Sequence, residues 1–158
     1  QNRREGLKQG CLTPEAFLVP GTQQLLGALF ENGLDLYLAS GTDHKYVVEE
    51  AELLGISDFF EGKIYGARDD YKSFSKAHLI EQILSQPQIE GRNLLGFGDG
   101  YVEIQNVANA SGTAIGVATN EAERQGVDEW KRERLINAGA SIIIPDYREQ
   151  NILLEHLF

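Results

Sequence analysis

At 158 residues, 42% of them hydrophobic and 24% charged, the chain is long enough for one domain with a real core and has an ordinary globular composition. A formal net charge of −10 argues against a nucleic-acid or anionic-membrane surface, but not against a phosphorylated substrate, because a bound cation reverses the local field. The single cysteine, Cys11, excludes an internal disulfide framework and points to a reducing, cytoplasmic setting, and no apolar run approaches the roughly 20 residues that span a bilayer.

In chain order, residues 3–10 read as the tail of a polar helix closed by Gly10, followed by a connector in which Thr13-Pro14-Glu15 marks a helix start. After the Pro20-Gly21 break, Leu25, Leu26, Leu29 and Phe30 recur at helical spacing, and Asn32-Gly33 ends that helix. Residues 34–39 (LDLYLA) predict a strand, and Ser40-Gly41-Thr42-Asp43 a turn into a helix over 45–54, with Val47, Val48, Ala51 and Leu54 inward. Residues 56–60 read as a loop, 63–65 as a short strand and 66–75 as a polar loop. Ser75 is placed to cap a helix over 76–84, whose inward face is Leu79, Ile80, Ile83 and Leu84. A buried strand over 93–97, a helix over 102–109 and a strand over 113–117 follow. Residues 121–138 are helical in composition, with Gly126 an interruption and Gly139 the end; a strand over 141–144 and an amphipathic helix over 149–158 close the chain. Strands alternating with helices predict an α/β fold, a mainly parallel sheet with helices on both faces.

Loops after the strands are where ligands bind in such sheets. Ser40-Gly41-Thr42 offers a hydroxyl and backbone amides at a helix start, an arrangement that suits an anion, or else Ser40 or Thr42 merely caps the helix. Lys76 sits at a helix N-terminus, against the dipole, a position easier to understand if it meets an anion; the alternatives are that Lys72 is the functional cation or that Lys76 is a surface lysine. Asp99 in Gly98-Asp99-Gly100 and Glu103 four residues on supply two carboxylates suited to Mg²⁺, which takes one or two and keeps waters; the alternative is a strand-ending turn.

Taken together, these loops resemble those of the haloacid dehalogenase-like (HAD) superfamily, in particular its phosphatases of the phosphoglycolate and phosphoserine phosphatase type. LYLASGTDHKYV is similar to the second motif of that superfamily, SKAHLIEQIL to the third and GFGDGYVEI to the fourth, and the likeness runs from about Pro20 to Phe158. The resemblance implies a three-layer α/β/α Rossmann-like core in residues 18–158, with residues 1–17 the end of a helical cap. It implies Ser40, Gly41, Thr42 and Lys76 as phosphate-binding groups, Ser40 and Lys76 being catalytic, and Asp99 and Glu103 as Mg²⁺ ligands. Glu103 stands where aspartate is commoner.

The superfamily's first motif, an aspartate nucleophile with a second aspartate two residues on, has no counterpart: the sequence contains no Asp-x-Asp. By the order of the motifs, the central strand bearing it belongs upstream of residue 1, and the absence of a starting methionine fits a segment of something longer. The implied activity is Mg²⁺-dependent hydrolysis of a small phosphorylated metabolite through an aspartyl-phosphate, with no nucleic-acid or membrane partner and continuity with upstream sequence. The 158 residues alone are then expected to be inactive and poorly soluble. A non-catalytic HAD-like binding or regulatory module and a HAD phosphomutase are the alternative readings.

Overall fold

The computed structural model describes residues 18–67 and 75–158. The expectations for residues 1–17 and for the loop over 68–74, Lys72 included, lie outside the described residues. In chain order the elements are α1 (Thr22–Glu31), β1 (Leu38–Asp43), α2 (His44–Leu53), a 3₁₀ turn (Ser57–Phe60), β2 (Ile64–Ala67), α3 (Lys76–Leu84), a 3₁₀ turn (Gly91–Asn93), β3 (Leu95–Gly98), α4 (Tyr101–Asn109), β4 (Thr113–Val117), α5 (Glu129–Ala138), β5 (Ile142–Ile144) and α6 (Gln150–Leu157). The fold is α/β, and every strand pairing is parallel. The strands form two sheets, β1-β2 and β3-β4-β5. The described residues likewise group into two compact units, 18–67 with Tyr147–Phe158, and Ser75–Asp146.

In the first unit, α2 packs on β1 and β2. The buried residues include Leu25 and Leu29 of α1, Val47 and Ala51 of α2, Ile64 of β2 and Leu153 of α6. Gly21 is fixed by two demands: its φ is +86°, and a Cβ there would lie 2.4 Å from the Tyr147 carbonyl carbon. That close approach lets the Tyr147 amide donate to the Pro20 carbonyl oxygen at 2.8 Å, tying the start of the closing segment to the chain before α1.

Two expectations shift here. Residues 56–60 are not a plain loop: Ser57–Phe60 form a 3₁₀ turn, and Ile56 before it and Phe60 at its end are buried. Phe30, in the apolar period of α1, is 41% exposed and meets Phe59 edge-on at 6.1 Å between ring centroids. The first strand begins at Leu38, not Leu34, and runs through Ser40-Gly41-Thr42 to Asp43. Its pairing with β2 is regular at Leu38↔Ile64 and Ala39↔Tyr65, shifts, and resumes at Asp43↔Ala67. Gly66 permits this: a Cβ there would lie 2.6 Å from His44 Cα and 2.7 Å from the Thr42 carbonyl oxygen.

In the second unit, β4 is the middle strand, and Ala114 to Thr119 are all buried, as a strand covered on both faces requires. Ile104 of α4 and Leu135 and Ala138 of α5 close over Ala114 and Ala118 to form the core. Ser75 caps α3 as expected, its hydroxyl accepting from the His78 amide at 3.0 Å. The helix expected over 121–138 begins only at Glu129. Gly126 has φ +76°, an antiparallel bridge joins Val127 to Thr119, and the Asp128 carboxylate accepts from the amides of Trp130 (3.0 Å) and Lys131 (3.2 Å). Lys131 then reaches back, donating to the Thr119 carbonyl oxygen at 3.0 Å and pairing with Glu121 at 3.2 Å, which secures the turn after β4. Among the described residues, no helix is long and apolar enough to cross a membrane.

Candidate active site

The second unit brings three of the expected site residues together. Alternation along β3 puts Gly96 and Gly98 on one face, and helical spacing puts Val107 and Glu103 on one face of α4. The two pairs meet. A Cβ at Gly96 would lie 2.4 Å from Val107 Cγ2, and one at Gly98 would lie 2.6 Å from Glu103 Oε2 and 3.3 Å from Glu103 Cβ. Gly100 borders the same cradle at ordinary contact distance, its Cβ position 3.4 Å from Glu103 Cδ. Gly98 is therefore explained by close approach of the Glu103 carboxylate, whereas Gly100, with φ −103°, requires neither left-handed backbone nor extra room.

Across this cradle comes Lys76, the first residue of α3, a helix packed against α4. Its Nζ donates to Glu103 Oε1 in an ion pair whose side chains are 26% and 32% exposed. The anion that accounts for a lysine set against its own helix dipole is thus on the chain itself. Glu103 in turn lies in the first turn of α4, where a negative charge is favoured. Burial pushes the Lys76 ammonium below the ordinary lysine value, and the field of Asp99 opposes that shift. Asp99 itself is exposed at the carboxyl end of β3 and acts on Lys76 through its charge.

Ser40, Gly41 and Thr42 belong to the first unit, at the exposed end of β1. The amides there were expected to be open; instead the Thr42 amide donates to Ser40 Oγ at 3.2 Å, because the chain is still extended and only irregularly paired at this point. The capping alternative fails as well. The residue before α2 is Asp43, with no side-chain capping bond, and Ser40 spends its acceptor on Thr42. Gly66, which holds this strand end close, was missed in the sequence, although an isolated glycine in a strand is a signal of close backbone approach.

Carboxylate oxygens are the donors a hard divalent cation prefers, and Mg²⁺ needs only one or two of them alongside waters and substrate oxygens. Asp99 fits that requirement, exposed at a strand end. Glu103 has the right chemistry, but one of its oxygens is in contact with the Lys76 ammonium. Among the described residues, no group of three or more His, Cys, Asp or Glu side chains is gathered to hold a metal ion.

A family model described as haloacid dehalogenase-like hydrolase matches residues 7–111, more than half of the chain. No curated protein matches. Among solved structures, a conserved haloacid dehalogenase-like protein of unknown function from Agrobacterium tumefaciens superposes with a TM-score of 0.69 at 16% identity, over 88% of this chain and 60% of that one. A predicted phosphatase from Clostridium acetobutylicum gives 0.67 at 23% identity, over 86% of this chain and 59% of that one. A predicted phosphoglycolate phosphatase from Haemophilus somnus gives 0.66 at 16% identity, over 85% and 56%. The chain thus spans about six tenths of the length of the structures it resembles, and shares their fold. The family-model match, over a stretch that includes Ser40, Lys76 and the Asp99–Glu103 turn, makes this chain a member of the haloacid dehalogenase-like hydrolases.

Proposed function

We propose that the protein is a Mg²⁺-dependent phosphatase acting on a small phosphorylated metabolite. The observation that supports this most is the half-buried Lys76, anchored to Glu103 beside the exposed Asp99 at the carboxyl end of β3, in a chain of a hydrolase family. A fixed ammonium next to a carboxylate suited to a hard cation is what a phosphoryl group requires, since transition-state charge spreads over its equatorial oxygens. Two of the structures of the same fold are described as predicted phosphatases, one of them for phosphoglycolate.

In this reading Lys76 donates to phosphoryl oxygens, and the Ser40 hydroxyl and the Gly41 and Thr42 amides are the remaining donors. Engagement of the Thr42 amide would require it to leave Ser40 Oγ, freeing both groups for substrate. Asp99 would hold Mg²⁺, which when bound supplies charge neutralisation between nucleophile and phosphoryl oxygens. Glu103 is the second acid of that turn and fixes Lys76. These 158 residues contain no Asp-x-Asp, and this reading takes its attacking carboxylate, and the acid that protonates the leaving ester oxygen, from residues other than Ser40, Lys76, Asp99 and Glu103; water then cleaves the aspartyl-phosphate and releases phosphate. The protein would act in the cytoplasm.

The experiment is phosphate release from a panel of phosphomonoesters by the full-length protein. Release that depends on Mg²⁺ and is lost in Lys76→Ala supports the reading. Absence of release from every monoester, with the protein folded and Mg²⁺ present, removes it.

A further inference from the structure

We propose that Glu103 is a positioning residue for Lys76 and not a metal ligand, and that Gly98 is a glycine in order to admit its carboxylate. This rests on the reading of Lys76 as the cation that meets the phosphoryl group. One oxygen of the Glu103 carboxylate is committed: Oε1 accepts from Lys76 Nζ, while Oε2 lies over Gly98, where an added methyl carbon would sit 2.6 Å away. A divalent cation bound to the same carboxylate would have to share it with an ammonium, and two like charges on one acid oppose each other. Asp99 carries no such burden; among the described residues its charge acts on Lys76 without forming an ion pair within 4.0 Å.

The division of labour follows from chain geometry. Glu103 stands in the first turn of α4, and Lys76 opens α3, which packs against α4. Each terminus would favour an anion, so an acid on one and a lysine on the other satisfy both when they pair. An ammonium has three N–H donors, and the bond to Glu103 uses one, leaving the others for an anion in a direction set by that bond. The extra methylene of glutamate over aspartate supplies the reach, and the bare backbone of Gly98 supplies the room.

The test is carried out on the full-length protein, with Mg²⁺ titrated alone by calorimetry and inorganic phosphate titrated at saturating Mg²⁺. Glu103→Gln should leave the Mg²⁺ Kd within about threefold of the wild type and weaken phosphate by about tenfold or more, the loss of one charge-assisted anchor. Gly98→Ala, which displaces the carboxylate without changing it, should reproduce the phosphate loss at an unchanged Mg²⁺ Kd. Asp99→Asn should lose Mg²⁺. The inference is overturned if Glu103→Gln loses Mg²⁺ to the same extent as Asp99→Asn, or if both Glu103→Gln and Gly98→Ala bind phosphate like the wild type. A wild-type protein that binds neither Mg²⁺ nor phosphate defeats the phosphatase reading itself, and this inference with it; a Glu103→Gln failure on Mg²⁺ alone leaves that reading standing.

Discussion

Replacing Gly96 with alanine sets a methyl carbon 2.4 Å from Val107 Cγ2, 3.1 Å from its Cγ1 and 3.2 Å from its Cβ. Ordinary contact begins at 3.4 Å, so strand and helix must part by about 1 Å. Val107 cannot swing aside, because a β-branched residue within a helix has essentially one rotamer and both its γ carbons are already approached. The strain of such overpacking is about 1–3 kcal/mol, and the stiffer unfolded chain that alanine gives offsets only about 0.4–1 kcal/mol of it. Gly98→Ala, two residues on, meets mainly the tip of a flexible carboxylate and should lose only the exposed part of an ion pair, at most about 1 kcal/mol. Denaturant titration of the full-length protein compares the two. The double variant Gly96→Ala/Val107→Ala should be more stable than the sum of its single variants by about 1–2 kcal/mol, since removing the γ carbons removes the clash. Additive energies, or a Gly96→Ala midpoint no lower than that of Gly41→Ala, where nothing lies within 4 Å of the new methyl, would refute the packing argument.

Leu135→Ala, at a fully buried position of the second unit's core, should cost about 2–5 kcal/mol in the same titration. Asp128→Ala removes the cap of α5 and should cost about 0.5–2 kcal/mol, with Asp128→Asn retaining most of it. Lys76→Ala should lower stability by no more than about 1 kcal/mol, because the pair is a quarter to a third exposed, while cutting turnover by about 10²–10³. Comparable losses of both would mark it as structural. The 158-residue chain on its own, which contains no Asp-x-Asp, should release no phosphate; turnover by it that Asp99→Ala abolishes would contradict that expectation.

What the sequence made legible was local. Ser75 before an apolar period announced α3, Gly139 ended α5, and a run of small and branched residues marked β4, because each signal acts within a turn or a strand. The residues 121–127 misled because helix-forming side chains say nothing of Lys131 folding back to the Thr119 carbonyl, which favours a turn there. The end of β1 was misplaced for a similar reason: the pairing that resumes at Asp43↔Ala67 depends on the bare backbone of Gly66, on another strand. Lys76, Asp99 and Glu103 were legible as site residues, but not the pairing of Lys76 with Glu103, which lie 27 residues apart and meet only because Gly96 and Gly98 let α4 close on β3.

The most direct test of the central claim is phosphate release from small phosphomonoesters by the full-length protein, measured with Mg²⁺, with a chelator, and in Asp99→Asn. The account predicts release that Mg²⁺ supports, the chelator abolishes and Asp99→Asn lacks; undiminished release in the presence of chelator, or in Asp99→Asn, would contradict it.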